Sequence, residues 1–249
     1  MRRTVFISDL HLSPDTPDLN ALFARCLNEW QGSIDALYIL GDLFDAWVGD
    51  DAADEAAQAL TGRLKTFCLH TPAYFVCGNR DFLVGRQFAQ ASGVQLLPEQ
   101  SGITLYGRKI LLTHGDEMCT EDRRYQRYRR IIRNFFVKKL LLALPLAKRR
   151  QIAAKLRAAS RRRKAEEGMS SISDVTEQGI QTALRRFPHT ELLIHGHTHR
   201  PNCHRHYFDG RTVTRWVLPD WKNGQGGCLN VFSDGRAEME MLVLPPEAV

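Results

Sequence analysis

The chain has 249 residues, 43% of them hydrophobic and 25% charged, a globular composition with enough apolar material for one large domain. Its longest uninterrupted apolar run, Leu140 to Ala147, is far short of the roughly 20 residues that span a bilayer. The net charge of +6 is uneven: residues 123–165 hold 17 of the 34 Lys and Arg and no Asp or Glu, which leaves the remainder at −11. An acidic body with one long basic segment points to an anionic partner: nucleic acid, anionic lipid or a phosphorylated substrate.

In chain order, the N-terminal MRRTVFISDLHL has two arginines but neither an apolar region nor a small-residue cleavage site, so it is expected to be retained and the protein to stay in the cytoplasm. Residues 3–8 predict a strand, 18–30 a helix, 36–40 a strand, 52–68 a helix, 73–76 a strand and 82–92 a helix. This alternation predicts an α/β fold of stacked strands covered by helices. ITLYGRKILLTHG predicts two strands around a Tyr106-Gly107 turn. Residues 121–144 and 146–165 predict two helices broken at Pro145, which cannot continue a helix interior. Ile132, Phe136, Leu140 and Leu144 recur on one face of the first; Ile152, Leu156 and Ala159 share a face of the second. Of these, Ile132, Phe136 and Ile152 are expected in the core. Asp174 with Glu177 can cap a helix over 175–187, and ELLIHG predicts a further strand. The last fifty residues predict antiparallel strands with hairpin turns at Asp209-Gly210 and Asp234-Gly235. The six scattered cysteines form no CxxC pair and are expected to be idle thiols. The expectation is one domain over 1–249 with a helical insertion at about 121–168.

Five predicted strands end in Asp, Asn or His: Asp9-Leu10-His11, Gly41-Asp42, Gly78-Asn79-Arg80-Asp81, His114-Gly115-Asp116 and His195-Gly196-His197-Thr198-His199. Strand ends on one sheet edge are where α/β proteins place ligands. Asp9, His11, Asp42, Asn79, His114, His195 and His197 are candidate metal ligands. Carboxylate, imidazole and amide oxygen suit Mn²⁺, Fe²⁺, Co²⁺ or Zn²⁺; without a thiolate, a structural zinc site is disfavoured. Seven ligands exceed one ion and fit two about 3.5–4 Å apart if one carboxylate bridges.

This ordered set resembles the calcineurin-like metallophosphoesterases, from Asp9 to His199. The resemblance implies a two-sheet β-sandwich flanked by helices, with Asp9, His11 and His197 on a first metal, Asn79, His114 and His195 on a second, and Asp42 on both. It places Asp42, Asn79, Arg80, His114 and His195 at the chemistry, with water activated between the cations. Many relatives have histidine where this chain has Arg80. Arginine cannot give a proton to a leaving alkoxide but can clamp phosphate oxygens, so the leaving group is expected to be a phosphate and the substrate a pyrophosphate. The alternative is that Arg80 only pairs with Asp81.

The longer motifs YILGDLFDAWVGDD, GNRDFLVGRQFA, LTHGDEMCTEDRRYQRYR and LLIHGHTHRP are similar to those of the UDP-2,3-diacylglucosamine pyrophosphohydrolases of lipid A synthesis. That likeness implies hydrolysis of UDP-2,3-diacylglucosamine to UMP and 2,3-diacylglucosamine 1-phosphate, water attack on the UMP-side phosphorus, two Mn²⁺ per chain, and a helical hairpin acting as a lid at the cytoplasmic face of the inner membrane. The leucine-rich 140–146 stretch, flanked by Lys138, Lys139, Lys148, Arg149 and Arg150, suits an anionic bilayer surface. Substrate contacts carry over to Asn79, Arg80, Asp122, Ser160 and His195, with Tyr125 weaker. After Ser160 the chain departs from the pattern: Lys164 stands where relatives have an amide, and Glu167 where they have lysine, so Lys164 is assigned as the replacement cation. His199 can buttress the metal site. A nuclease, a soluble nucleotide pyrophosphatase and a metal-free scaffold are the rival readings; the basic segment lacks interleaved aromatics for base stacking, so no nucleic-acid partner is expected, and the chain is expected to be monomeric.

Overall fold

The computed structural model describes residues 1–167 and 174–244. The elements run β1 (Arg3–Ile7), α1 (Pro17–Trp30), β2 (Ala36–Ile39), α2 (Glu55–Cys68), β3 (Ala73–Val76), α3 (Arg86–Ser92), β4 (Gln95–Leu97), β5 (Gln100–Leu105), β6 (Arg108–Thr113), α4 (Arg123–Ile132), α5 (Phe135–Ala143), α6 (Leu146–Glu167), α7 (Glu177–Arg186), β7 (Leu192–His195), β8 (Asn202–Phe208), β9 (Arg211–Val217), β10 (Gln225–Phe232) and β11 (Ala237–Val243). They build two mixed sheets, ordered β11-β10-β1-β2-β3-β4 and β5-β6-β7-β9-β8.

Side-chain alternation explains the layering, because successive residues of a strand face opposite sides. In β1, Val5 and Ile7 pack with Leu22 and Phe23 of α1, while Phe6 joins the core between the sheets. In β2, Leu37 and Ile39 face the helices and Tyr38 faces inward. In the second sheet, Ile110, Leu112, Leu192 and Ile194 face the first sheet, whereas Leu111 and Leu193 meet Ile180 and Leu184 of α7. The result is helix, sheet, sheet, helix. Because β1, β2 and β3 pair in parallel, the loops that follow them emerge at one edge. The parallel pairs β6–β7 and β7–β9 align the second sheet in the same way.

The helical segment between β6 and β7 differs from its sequence reading. The predicted helix over 121–144 is two helices, because the Asn134 side chain accepts from the Phe136 and Val137 N–H groups and starts α5 anew. Ile132 is buried, but Phe136 is 76% exposed and Ile152 is exposed as well; the stripe expected in the core is largely open. Arg149, read as facing lipid, is instead buried, bonded to Asp51, the Val48 carbonyl and the Leu144 carbonyl. Thr176, rather than Asp174, caps α7 by accepting from Gly179 N–H; Asp174 pairs with Arg200. The short strand β4 carried no periodic signal. No helix among the described residues is long and apolar enough to cross a membrane. The six cysteines are free thiols.

Candidate metal centre

The site forms where the strand ends of the two sheets meet. The loops after β1 and β2 run side by side: Asp9 N–H donates to the Gly41 carbonyl (3.1 Å) and His11 N–H to the Asp42 carbonyl (3.0 Å). Across the seam, His197 N–H donates to Asp9 Oδ2 (2.8 Å). Two glycines allow this crowding. A Cβ on Gly41, whose φ is +90°, would lie 2.6 Å from both Gly78 Cα and His114 Nδ1, and one on Gly196 would strike Ser8 and Asp9. Asp9, His11, Asp42, His197 and His199 all adopt positive φ between 53° and 68°. Non-glycine residues held there cost on the order of 1–3 kcal/mol each, and such strain gathers at functional sites.

Two groups of ligand atoms converge within 4.8 Å: Asp9, His11 and His199, and Asp9, Asp42 and His114. Asn79 Oδ1 stands 3.0 Å from His114 Nε2 and 2.8 Å from His197 Nδ1, and those two ring nitrogens lie 3.2 Å apart. Asp9, His11, Asp42, Asn79, His114 and His197 are therefore brought together. His195 joins neither group: its Nδ1 is 2.9 Å from the Gly196 carbonyl and its Nε2 3.0 Å from Arg215 Nη1. Arg215 was not singled out from the sequence, because a basic residue inside a strand reads as an ordinary outward position. Here it is buried, and its Nε donates to His206 Nε2 (3.0 Å).

Burial opposes ionisation of Asp9, yet the His199 hydrogen bond and the nearby imidazoles hold its carboxyl well below the usual range. Burial raises Asp42, with Asp9 adding to it. Burial also lowers His11 to about 3, with Arg80 contributing, and His195 to about 3, with Arg215 contributing; burial and His114 lower His197 to about 4. His114 is pushed the other way, its burial outweighed by Asp42, Asp9 and Asp116. His199, between Asp9 Oδ1 (3.2 Å) and Asp220 Oδ2 (3.4 Å), rises to about 9, the carboxylates outweighing burial.

The donor set fits divalent cations. It is carboxylate, imidazole and amide oxygen, and His11 Nδ1 is buried with no hydrogen-bond partner among the described residues, which is costly unless something binds it.

Around this group, Asp81 points inward and accepts from Leu43 N–H and Gly78 N–H, both at 2.7 Å. It does not pair with Arg80, whose Nη1 donates to Asp45 (2.5 Å) and whose Nε lies 3.5 Å from Asp42. Asp122 caps α4 by accepting from Tyr125 N–H (2.9 Å), and the Tyr125 hydroxyl donates to Asp116 (2.6 Å) while its ring stacks 6.1 Å from that of His197. Ser160 is exposed on α6. Lys164 lies on the same helix, with its side chain outside the described residues, as is that of Glu167.

Residues 2–201 match the calcineurin-like phosphoesterase family. The chain is 46% identical over 230 residues to a UDP-2,3-diacylglucosamine hydrolase of Chromobacterium violaceum, covering 92% of this chain and 94% of that one. It is 44% identical over 240 residues to the Coxiella burnetii enzyme of the same name, covering 96% and 98%. Among solved structures, a dimetal phosphatase from Danio rerio aligns with a TM-score of 0.53 at 13% identity, covering 97% of this chain and 96% of that one, a likeness of fold. The match across four-fifths of the chain, with near-full-length identity above 40%, places this protein in the UDP-2,3-diacylglucosamine hydrolase family of the calcineurin-like phosphoesterases.

Proposed function

We propose that this chain hydrolyses the pyrophosphate bond of UDP-2,3-diacylglucosamine in lipid A biosynthesis, giving UMP and 2,3-diacylglucosamine 1-phosphate, with water attacking the UMP-side phosphorus. The observation that carries the reading is the convergence of Asp9, Asp42, His11, His114, His197 and Asn79 at one seam, beside Arg80, in a chain so similar to enzymes of that name. On this reading Asp9, His11 and His197 would hold one Mn²⁺, Asn79, His114 and His195 would hold the other, and Asp42 would serve both. His195 would have to turn a ring nitrogen away from its present partners. Two such cations supply charge neutralisation and solvent activation for in-line displacement at phosphorus.

The chain's own residues do the rest. Arg80 sits over Asp42 and presents a charged fork to phosphate oxygens. The leaving phosphate departs as an anion, so no protein acid is needed. His199 and Asp220 hold the Asp9 carboxylate in its ionised, oriented form. Asp122, Ser160 and Lys164 contact the glycolipid as the lid over 121–168 closes on it. Phe135, Phe136, Leu140 and Leu142 are exposed next to Lys139, Lys148 and Arg150, and they seat the monomer on the anionic cytoplasmic face of the inner membrane.

The test is to offer the purified protein with Mn²⁺ four substrates: UDP-2,3-diacylglucosamine, a UDP-sugar without acyl chains, a dinucleoside polyphosphate and DNA. Rapid UMP release from the first alone is expected. Comparable turnover of the unacylated sugar or of DNA would refute the assignment.

A further inference from the structure

Asp45 is held by two guanidinium groups, one on each carboxylate oxygen. Its Oδ1 accepts from Arg80 Nη1 at 2.5 Å, and its Oδ2 accepts from Arg157 Nη1 of α6. Arg80 belongs to the loop after β3, and Arg157 to the helical insertion 77 residues later in sequence. One carboxylate thus lies between two permanent cations and leaves guanidinium donors unused. A guanidinium has five N–H groups, and Arg157 Nε is buried with no hydrogen-bond partner among the described residues. The seat adjoins the metal centre, since Arg80 N–H donates to Asp42 Oδ1 (2.8 Å) and its Nε lies 3.5 Å from Asp42 Oδ2. It also adjoins a cavity of about 520 Å³ between α6 and the body, lined by Trp47, Phe44, Leu60, Ala153 and Arg157.

A carboxylate bridged by two guanidinium groups has the shape and charge of a bound phosphoryl group. From this we infer that Arg80 and Arg157 form a phosphate seat, with Arg157 a second, insertion-borne contact to the pyrophosphate. Asp45 is the resident anion that fills the seat until substrate displaces it. On binding, the doubly charged pyrophosphate replaces a singly charged occupant. This inference rests on the hydrolase reading above.

If Asp45 were only a strut joining α6 to the body, removing either partner would weaken substrate binding. Displacement predicts opposite signs. KM for UDP-2,3-diacylglucosamine is expected to rise about tenfold in Arg157→Ala, the loss of one charge-assisted pair, and less in Arg157→Lys, which keeps the charge without the fork. In Asp45→Asn it is expected to fall severalfold, because the competing charge is gone. The same order is expected for the dissociation constant of 2,3-diacylglucosamine 1-phosphate, followed by tryptophan fluorescence through Trp47. An unchanged KM in Arg157→Ala, or a rise in both Arg157→Ala and Asp45→Asn, overturns the seat. Should the unmodified protein release no UMP, the hydrolase reading fails instead, and the binding measurement with the 1-phosphate still decides the seat by the same signs.

Discussion

At the scale of single residues, the site depends on groups that touch no substrate. Asp81 holds the backbone of Leu43 and Gly78, and so fixes the two loops that carry Asp42 and Asn79. Burial, with Asp42 next to it, raises its carboxyl to about 7, while the two N–H groups it accepts favour the ionised form. Asp81→Ala leaves two buried donors unmet at about 1–3 kcal/mol each; a urea titration should show a loss within that combined range, with kcat falling as the loops relax. Arg80 offers a sharper test of the leaving-group argument. A departing phosphate needs no proton, so Arg80→His should lower turnover of the diphosphate substrate, and a faster variant in steady-state assays would reverse that argument. The metal-ligand candidates were legible because each follows a strand within a short Asp-, His- or Gly-containing motif. Asp45, Arg215 and Asp220 were not: Asp45 lies inside the YILGDLFDAWVGDD motif but carried no role there, the other two belong to no motif, and only tertiary folding turns them toward Arg80, His195 and His199.

At the scale of elements, the insertion is anchored at its root and again through Arg149 of α6, with α5 open between the two. Arg129 of α4 and Arg133 at its C-terminal cap bond Glu99, Arg129 also bonds the buried Asp116, and Arg133 reaches the Gly78 carbonyl. No residue of α5 is buried. Replacing Phe135, Phe136 and Leu140 together by serine should therefore leave unfolding free energy within about 0.5 kcal/mol, as for other exposed positions. Co-sedimentation with vesicles rich in anionic lipid should fall severalfold, and unaltered sedimentation would remove the membrane role. The helix break at Asn134 escaped the sequence because the apolar spacing from Ile132 to Leu144 runs straight through it. A side-chain cap is a local signal, and periodicity over a longer window hides it. The same spacing suggested burial for Phe136, but periodicity reports that a face is apolar, not what covers it.

At the scale of the whole molecule, the candidate centre is split between the sheets. Asp9, His11, Asp42 and Asn79 follow strands of the first, and His114 and His197 follow strands of the second. Cations bound there stabilise only the docked arrangement, so chelation should both abolish hydrolysis and lower the unfolding temperature. On the manganese reading proposed above, a hundredfold excess over the dissociation constant should restore about 2.7 kcal/mol, and an unmoved melting curve on chelation would show that the sheets dock without the cations. The layer order was legible from the alternation of strand and helix and from Val5, Phe6 and Ile7 facing opposite ways; the mixed strand order was not, since pairing between β1 and β10 joins residues over 220 positions apart. The link from His197 N–H to Asp9 Oδ2 spans 188 positions, and it carries a consequence for biosynthesis. While the polypeptide is still being made, the Asp9 carboxylate waits without its His197 and His199 partners, so the complete ligand set exists only after the HGHTH segment has emerged from the ribosome.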